Sequence, residues 1–152
     1  MITFTLPVEP KSVQNGAGRI GKTKEGKSFI FKNRKASGYQ QTITLLSRKY
    51  APRKPFEGPV KVDFTFILSR PKNLFRKSDP DGLIPHDKQP DADNMRKGAQ
   101  DALQGFWLND SQIFDGKTTK FYAEKKGVAR IIVTVTEDHD YEMPGEEIER
   151  AY

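Results

Sequence analysis

Apolar residues recur with two periods along this chain, and each period predicts a different kind of element. Residues 60–68 predict a β-strand with one buried face, because large apolar and polar residues alternate from Val60 to Phe66. Residues 2–8 alternate in a similar way, and residues 112–124 and 127–136 predict two further strands. Together these segments predict a mixed β-sheet.

Apolar spacings of three and four residues predict two helices. The first covers residues 36–50, and the second covers residues 91–104 and ends before Gly105. Residues 106–108 are then expected to pack into the core. The apolar stripes are Tyr39, Ile43, Leu46 and Tyr50 in the first helix, and Met95, Ala99, Ala102 and Leu103 in the second.

Residues 69–89 form a long polar stretch between a predicted strand and the second helix. Such a stretch is too long for a simple connection, and long loops are usually functional or mobile. Because it leads directly to Asp91, we expect it to border the functional site. An idle insertion is the alternative.

The length of 152 residues suits one domain. The predicted elements make residues 1–136 a mixed α+β domain with two main helices, followed by an acidic tail at residues 137–152. The chain has no cysteine, no apolar run of about 20 residues and no signal-peptide pattern at its start. We therefore expect a cytoplasmic protein.

The charge is unevenly distributed along the chain. Residues 1–136 hold 25 of the 26 Lys and Arg residues but only 13 of the 20 acidic residues, a balance of +12. Residues 137–152 carry a balance of −6. A strongly basic body attracts polyanions, of which nucleic acid is the commonest. The alternative is a basic surface that only keeps the protein in solution.

The basic residues concentrate in two segments. The first is residues 11–35, within which residues 19–31 predict a hairpin with a flexible basic tip at residues 21–26. We interpret this hairpin as a phosphate-binding arm, and the alternative is a solvated loop that binds nothing. The second segment is the stretch that begins at residue 69. The candidate DNA-contact residues are Lys11, Arg19, Lys22, Lys24, Lys27, Lys32, Arg34, Lys35, Arg70, Lys72 and Arg76.

Residues 16–23 match the spacing of a nucleotide-binding P-loop, from Gly16 to Gly21, Lys22 and Thr23. A P-loop lies between a buried strand and a helix. Here a polar segment precedes the glycines and a strand pattern follows them, which disfavours nucleotide binding.

Three aspartates and one lysine surround the second helix. Asp91 and Asp93 lie where it begins, Lys97 is one turn after Asp93, and Asp110 follows on a turn. Carboxylates suit Mg²⁺, which can activate water and stabilise the leaving oxygen of a phosphodiester. The alternatives are helix caps, a surface ion pair and ordinary turn residues. A calcium loop fits poorly, because Met95 and Arg96 occupy positions that need Asp or Asn and Gly.

The run D-A-D-N-M-R-K-G-A-Q-D-A-L at residues 91–103, followed by G-F-W-L-N-D-S-Q-I at residues 105–113, resembles the RusA family of Holliday junction resolvases. The family pattern has two aspartates, a lysine and D-A-L on the helix. A glycine-aromatic segment then ends in an acidic pair. Asn109 departs from that pattern, because the family often has the first Asp of the pair there, whereas Asp110 retains the second.

This resemblance implies that Asp91, Asp93 and Asp110 bind Mg²⁺, for which Mn²⁺ is expected to substitute, and that Lys97 completes the catalytic set. Asn94 and Asp101 are expected to support the helix and the site. The resemblance also implies a bacterial or phage-encoded homodimer of small subunits that cuts two opposed strands of a four-way DNA junction in recombination and repair.

Two other functions remain open. The same fold could cut other branched or flap DNA during phage replication or packaging. Alternatively, the protein could be a non-catalytic binder of nucleic acid whose aspartates are caps.

Overall fold

The computed structural model describes residues 1–13, 20–30 and 34–138 of the chain. These residues form the predicted α+β fold, with a six-stranded mixed sheet, a separate two-stranded hairpin and two α-helices. The elements are β1 (Ile2–Leu6), β2 (Ile20–Lys22), β3 (Ser28–Ile30), α1 (Arg34–Ser47), β4 (Val60–Leu68), β5 (Ile84–Pro85), α2 (Ala92–Ala102), β6 (Ile113–Asp115), β7 (Thr118–Tyr122) and β8 (Arg130–Glu137).

The strand order in the large sheet is β1–β8–β4–β7–β5, and β6 pairs with the beginning of β4. β8 lies antiparallel between β1 and β4, whereas β7 lies parallel to β4 on its other side. β7 and β8 are consecutive in the chain, yet β4 separates them in the sheet. The segment between them therefore crosses over one strand instead of closing a hairpin.

The core lies between one face of the sheet and the two helices. Phe64 of β4 and Val133 of β8 are almost completely buried, because alternate strand residues point to the same face. Ile43 of α1 and Met95 and Ala99 of α2 pack against that face. The apolar alternation therefore specified the buried face correctly.

Both helices form where the sequence predicts them, with small differences at their ends. α1 ends at Ser47 and continues as a 3-10 turn at Arg48–Tyr50. α2 ends at Ala102, because Leu103 is extended and buried in the core. Gly105 then takes the left-handed conformation with φ 84°, which favours glycine, and the chain turns towards Phe106.

Phe106 and Trp107 are buried as predicted, with 0% and 8% exposure. The prediction is wrong for Leu108, whose side chain is 68% exposed. The chain leaves the core at this residue and enters a 3-10 turn at Asp110–Gln112.

The strand predicted at residues 112–124 is divided in two by Gly116. β6 pairs with Val60 and Lys61, and β7 pairs with the second half of β4. Gly116 has φ 154°, and a Cβ at this position would lie 2.0 Å from the Val62 carbonyl oxygen. This close approach of two backbones breaks the strand.

The loop at residues 69–83 is organised around Arg70, whose guanidinium is buried. It donates hydrogen bonds to the backbone carbonyls of Ala123, Leu74, Pro80 and Gly82. β5 then joins the sheet edge beside β7. The structure thus does not support the prediction that Arg70 contacts DNA, because its donors bind carbonyls of the loop and of Ala123.

β2 and β3 form the predicted antiparallel hairpin, and its exposed tip includes Lys22, Lys24 and Lys27. Gly21, Lys22 and Thr23 therefore belong to a hairpin. A P-loop would instead lead directly into a helix, so this segment is not one. Within the described ranges, no helix is long and apolar enough to cross a membrane.

Candidate active site

Asp91 and Asp93 lie at the N-terminal end of α2. Asp91 is the N-cap residue and has extended backbone angles, but its side chain makes no capping hydrogen bond. Its carbonyl oxygen accepts the first helical bond, from the Met95 amide at 3.1 Å. Both carboxylates are exposed, and the helix dipole favours negative charge here. The capping alternative is therefore not supported for Asp91.

Lys97 is exposed one turn after Asp93 on α2. In the described part of the chain, Asp93 and Lys97 do not form the surface ion pair that their spacing permits. The Lys97 ammonium is thus not committed to Asp93.

Asp110 begins the 3-10 turn that follows Trp107. Asn109 and Gln112 form a capping box around this turn, in which the Asn109 side chain accepts a hydrogen bond from the Ser111 amide at 2.9 Å. The Trp107 indole nitrogen donates a hydrogen bond to Oδ1 of Asp110 at 2.8 Å. Both the backbone and the carboxylate of Asp110 are therefore held in place.

Gln112 connects this turn to the beginning of β4. Its Nε2 donates to the carbonyl oxygens of Phe56 and Gly58, at 2.8 and 2.9 Å. Its Oε1 accepts hydrogen bonds from the Leu108 and Asn109 amides. One glutamine thus anchors the Asp110 turn to the sheet, and Asn109 supports the turn where the family pattern often has Asp.

A polar cavity of about 430 Å³ joins α2 to the segment that contains Asp110. Its lining brings residues from the middle of α2 together with the chain that follows Asp110. The lining residues are Arg96, Gln100, Asp110, Ile113, Phe114, Asp115 and Gly116.

Arg96 forms one wall of this cavity. Its NH1 donates to Thr118 Oγ1 at 3.0 Å, and its guanidinium lies over the Phe64 ring at 5.2 Å. Burial lowers the pKa of Arg96, whereas the charges of Asp63 and Asp115 raise it in part. Arg96 thus ties α2 to β7 beside Lys97 and gives the cavity a positive side.

The segment that leads into Asp91 is held by Lys120 of β7. Its Nζ donates to the carbonyl oxygens of Lys88 and Pro90, both at 2.7 Å. The buried His86 donates its amide to the Lys120 carbonyl oxygen at 3.1 Å. Burial, and secondarily the charge of Lys120, lowers the pKa of His86. The loop therefore borders the site, as its position in the sequence predicts.

Asp110 lies beside the C-terminal half of α2, where it shares cavities with Gln100 and Leu103, whereas Asp91 and Asp93 lie at the start of that helix. An α-helix rises 1.5 Å per residue, so Gln100 lies roughly 10 Å along the axis from Asp93. Within residues 1–13, 20–30 and 34–138, no three acidic, histidine or cysteine side chains are close enough to hold a metal ion. The predicted Mg²⁺ ligation by all three aspartates therefore stays a prediction.

The donor chemistry nevertheless fits Mg²⁺. Carboxylate oxygens are the ligands that it prefers, and it keeps several waters. In the described structure, the exposed side chains of Asp91 and Asp93 make no hydrogen bond that would oppose their reorientation. Asp91, Asp93 and Asp110 therefore stay the predicted ligands of the ion.

The predicted DNA-contact residues have different outcomes. Lys11 and the three lysines of the hairpin tip are exposed, as are Lys72 and Arg76, although Arg76 pairs with Asp79 at 3.3 Å. Arg19 and Lys32 lie outside the described residues, as does the acidic tail beyond residue 138. For Arg34 and Lys35 only the backbone is described, in the first turn of α1.

Sequence reasoning missed four residues that organise the site: Arg96, Trp107, Asp115 and Lys120. Arg96 and Trp107 lie within the motif, but spacing alone does not indicate that one packs against β7 and the other donates to Asp110. The sequence near Asp115 and Lys120 does not indicate their contacts, because these depend on the pairing of β6 and β7 with β4.

Comparison with known proteins decides the family. The model of the family described as endodeoxyribonuclease RusA matches residues 7–136, which is most of the chain. The chain belongs to the RusA family. The prediction of an endodeoxyribonuclease is thereby confirmed at the level of the family.

Individual relatives of this chain match it over different lengths. The uncharacterised protein YqaN of Bacillus subtilis is 31% identical over 141 residues, which cover 89% of this chain and 97% of YqaN. The crossover junction endodeoxyribonuclease RusA of Escherichia coli K12 is 41% identical over 56 residues, which are 36% of this chain and 45% of that protein. The protein of the same name from Enterobacteria phage 82 is 39% identical over 56 residues.

Proposed function

We propose that this chain is a Mg²⁺-dependent endonuclease that resolves four-way (Holliday) junctions by paired symmetric cuts, in DNA recombination and repair. The observation that carries the proposal is the RusA family match over residues 7–136. The names of the Escherichia coli and phage 82 relatives point to the same substrate. Two features of the structure support it: Asp91 and Asp93 lie at the start of the helix that carries Lys97, and Asp110 shares a cavity with Arg96 of that helix.

In this proposal, Asp91, Asp93 and Asp110 hold the cation. When bound, Mg²⁺ would supply a hydroxide near neutral pH and stabilise charge on phosphate oxygens. The Lys97 ammonium, one turn from Asp93, reaches a phosphate oxygen or the leaving group. Lys120 holds the segment that leads into Asp91, and Trp107 holds Asp110.

In this proposal, exposed lysine and arginine side chains supply most of the affinity for DNA. Lysines that neutralise phosphates release counterions, and such contacts carry no base information. The hairpin tip presents three lysines, Lys22, Lys24 and Lys27, and Lys72 lies on the loop that precedes the site. We propose that these residues grip the arms of branched DNA and leave the choice of cut to the active site.

We propose that the protein acts in the bacterial cytoplasm as a host or phage-encoded enzyme, because the chain has no cysteine and one relative comes from a phage. YqaN supports the bacterial part of this proposal.

The first test is cleavage of a synthetic four-way junction with Mg²⁺, with Mn²⁺ and with EDTA. We expect paired symmetric nicks with either cation and none with EDTA. Asp91→Asn, Asp93→Asn and Asp110→Asn should each abolish cleavage. Junction affinity should stay within a few-fold of wild type, since it depends on lysine and arginine contacts with phosphates. Product mapping on a sequencing gel measures cleavage, and a gel-shift titration measures junction affinity.

Asp87→Asn is the matched control, because Asp87 is exposed on the adjoining loop and the change removes the same charge. This variant should cleave at the wild-type rate. Cleavage that persists in any of the three active-site variants removes that residue from the proposed cation site. Faster cutting of flaps than of junctions would change the proposed substrate, and binding without cleavage would make the chain a non-catalytic binder.

A further inference from the structure

We propose that Trp107 is a positioning residue, which fixes the Asp110 carboxylate in the orientation that cleavage requires. The proposal rests on the function proposed above, in which Asp110 holds the cation. Its basis is the hydrogen bond of 2.8 Å from the indole nitrogen to Oδ1 of Asp110.

The donor of this bond has a rigid setting. Trp107 is 8% exposed, its ring lies 6.3 Å from that of the buried Phe106, and its backbone bridges to Phe56 beside β4. An aromatic ring packed in this way has no alternative rotamer without opening a void in the core. The indole N–H is therefore fixed in space relative to the sheet.

The acceptor lies on the boundary between this core and the cavity. Asp110 is exposed, and it lines the polar cavity together with Arg96 and Gln100. An exposed aspartate on a turn would ordinarily exchange between rotamers. With Oδ1 held by the indole, the carboxylate keeps one orientation, and Oδ2 is left for a ligand.

Asp110 differs in this respect from the two aspartates of α2. Its backbone is held by the capping box of Asn109 and Gln112, and its side chain is held by Trp107. In the described structure, Asp91 and Asp93 have no comparable side-chain restraint. Asp110 therefore sets the position of the cation, and the other two carboxylates adapt to it. Groups that orient a ligand are commonly worth 10-fold to 100-fold in metal affinity or activity, so about that loss is expected without the indole N–H.

A purely structural explanation makes a different prediction. A buried indole N–H needs an acceptor. In this explanation Asp110 only satisfies that N–H, and Trp107 does not orient the carboxylate for cleavage. In that case removal of the N–H would change stability and leave cleavage by the folded protein unaltered.

Trp107→Phe tests the proposal, because it keeps an aromatic ring and removes the N–H. We expect kcat on the junction to fall about 10-fold to 100-fold. Junction affinity should stay within twofold of wild type, and the variant should remain folded by circular dichroism. Leu108→Ala, at the adjoining exposed position, is the control and should retain the wild-type kcat.

A second measurement needs neither DNA nor cleavage. Trp107 is the single tryptophan of the chain, so its fluorescence reports directly on the Asp110 carboxylate. Titration with Mg²⁺ should change the emission of wild type and of Asp87→Asn, and should leave that of Asp110→Asn unchanged. This test still applies if Trp107→Phe fails to fold.

The outcomes separate the two proposals. Suppose that wild type and Leu108→Ala cleave the junction and Asp110→Asn does not. If Trp107→Phe then cleaves at the wild-type rate, the positioning role is overturned and the proposed function stands. A Mg²⁺ response of equal size in wild type and Asp110→Asn also overturns it. If wild type cuts no junction under any condition, the proposed function fails first.

Discussion

Glu124 and Arg130 form an ion pair across the turn that connects β7 to β8. Arg130 donates two hydrogen bonds to the Glu124 carboxylate, at 2.7 and 3.0 Å. These bonds lower the pKa of Glu124 from 4.5 to about 2. A carboxyl group with a depressed folded-state pKa stabilises the fold fully above its unfolded pKa, and this contribution is lost as pH falls towards the folded value.

We therefore predict that Glu124→Gln lowers the free energy of unfolding at pH 7, by less than about 1 kcal/mol because the pair is partly exposed. The difference from wild type should shrink between pH 4.5 and about 2, the window in which Glu124 loses its charge in the unfolded and then in the folded state. Urea denaturation at several pH values measures it. Glu57→Gln, at an exposed site, is the control, and a difference independent of pH would refute the prediction.

At the scale of elements, the loop before α2 depends on one buried cation. Arg70 donates hydrogen bonds to three backbone carbonyls within the loop and to that of Ala123 just after β7, so a segment without regular structure has a fixed course. β5 and Lys120 continue this arrangement up to Pro90. The path of the chain into Asp91 is therefore set by the sheet edge.

We predict that Arg70→Met destabilises the protein by roughly 2–3 kcal/mol, because a charged donor is lost and one buried and three partly buried carbonyls lose their partner. Hydrogen exchange should rise across residues 71–83. The salt dependence of junction binding should stay that of wild type, since Arg70 makes no phosphate contact in our interpretation.

Lys72→Met is the comparison, because Lys72 is exposed on the same loop. It should leave stability unchanged and reduce the salt slope. If Arg70→Met instead reduced the salt slope and left hydrogen exchange in the loop unchanged, Arg70 would be a DNA-contact residue after all.

At the scale of the whole molecule, the acidic residues at α2 and the Asp110 turn make one candidate catalytic site per chain. A four-way junction presents two equivalent strands about a two-fold axis, so paired cuts need two such sites. Two-fold homodimers are the commonest soluble oligomers. β1 and β5 form the edges of the six-stranded sheet, and unpaired edges are surfaces that a second copy can cover.

We predict that the active unit is a two-fold homodimer. An equal mixture of wild type and Asp91→Asn, after subunit exchange, should contain about half heterodimers, each with one intact site. These heterodimers should nick one strand and rarely resolve the junction. Sedimentation and a plasmid-borne junction assay measure the two properties. A monomer that makes paired cuts at working concentration would contradict the prediction.

Local patterns determined most of the fold. The period of two in residues 60–68 predicted β4 with the bounds that the structure has, and the spacing of Met95 and Ala99 predicted the buried face of α2. These patterns are reliable because backbone geometry alone sets which side chains share a face. The same reasoning placed Asp93 and Lys97 one turn apart at the start of α2.

Other features depended on contacts between distant parts of the chain. Residues 112–124 look like one strand, yet Gly116 divides them because the Val62 backbone passes too close for a side chain. Arg70 looks like any basic loop residue, and its burial follows from carbonyls as far away as Ala123. Such contacts leave no periodic trace, because they depend on which element happens to lie opposite.

The sequence by itself thus determined the α+β class, the faces of the main elements and the acidic motif that indicates a nuclease. Only the tertiary structure decided that β4 separates β7 from β8, that Asp110 lies beside the C-terminal half of α2, and that Trp107 and Lys120 hold Asp110 and the segment before Asp91. The physical reason is that a periodic pattern specifies which face must be buried. It does not specify which other element covers that face, because any apolar partner would satisfy the same pattern.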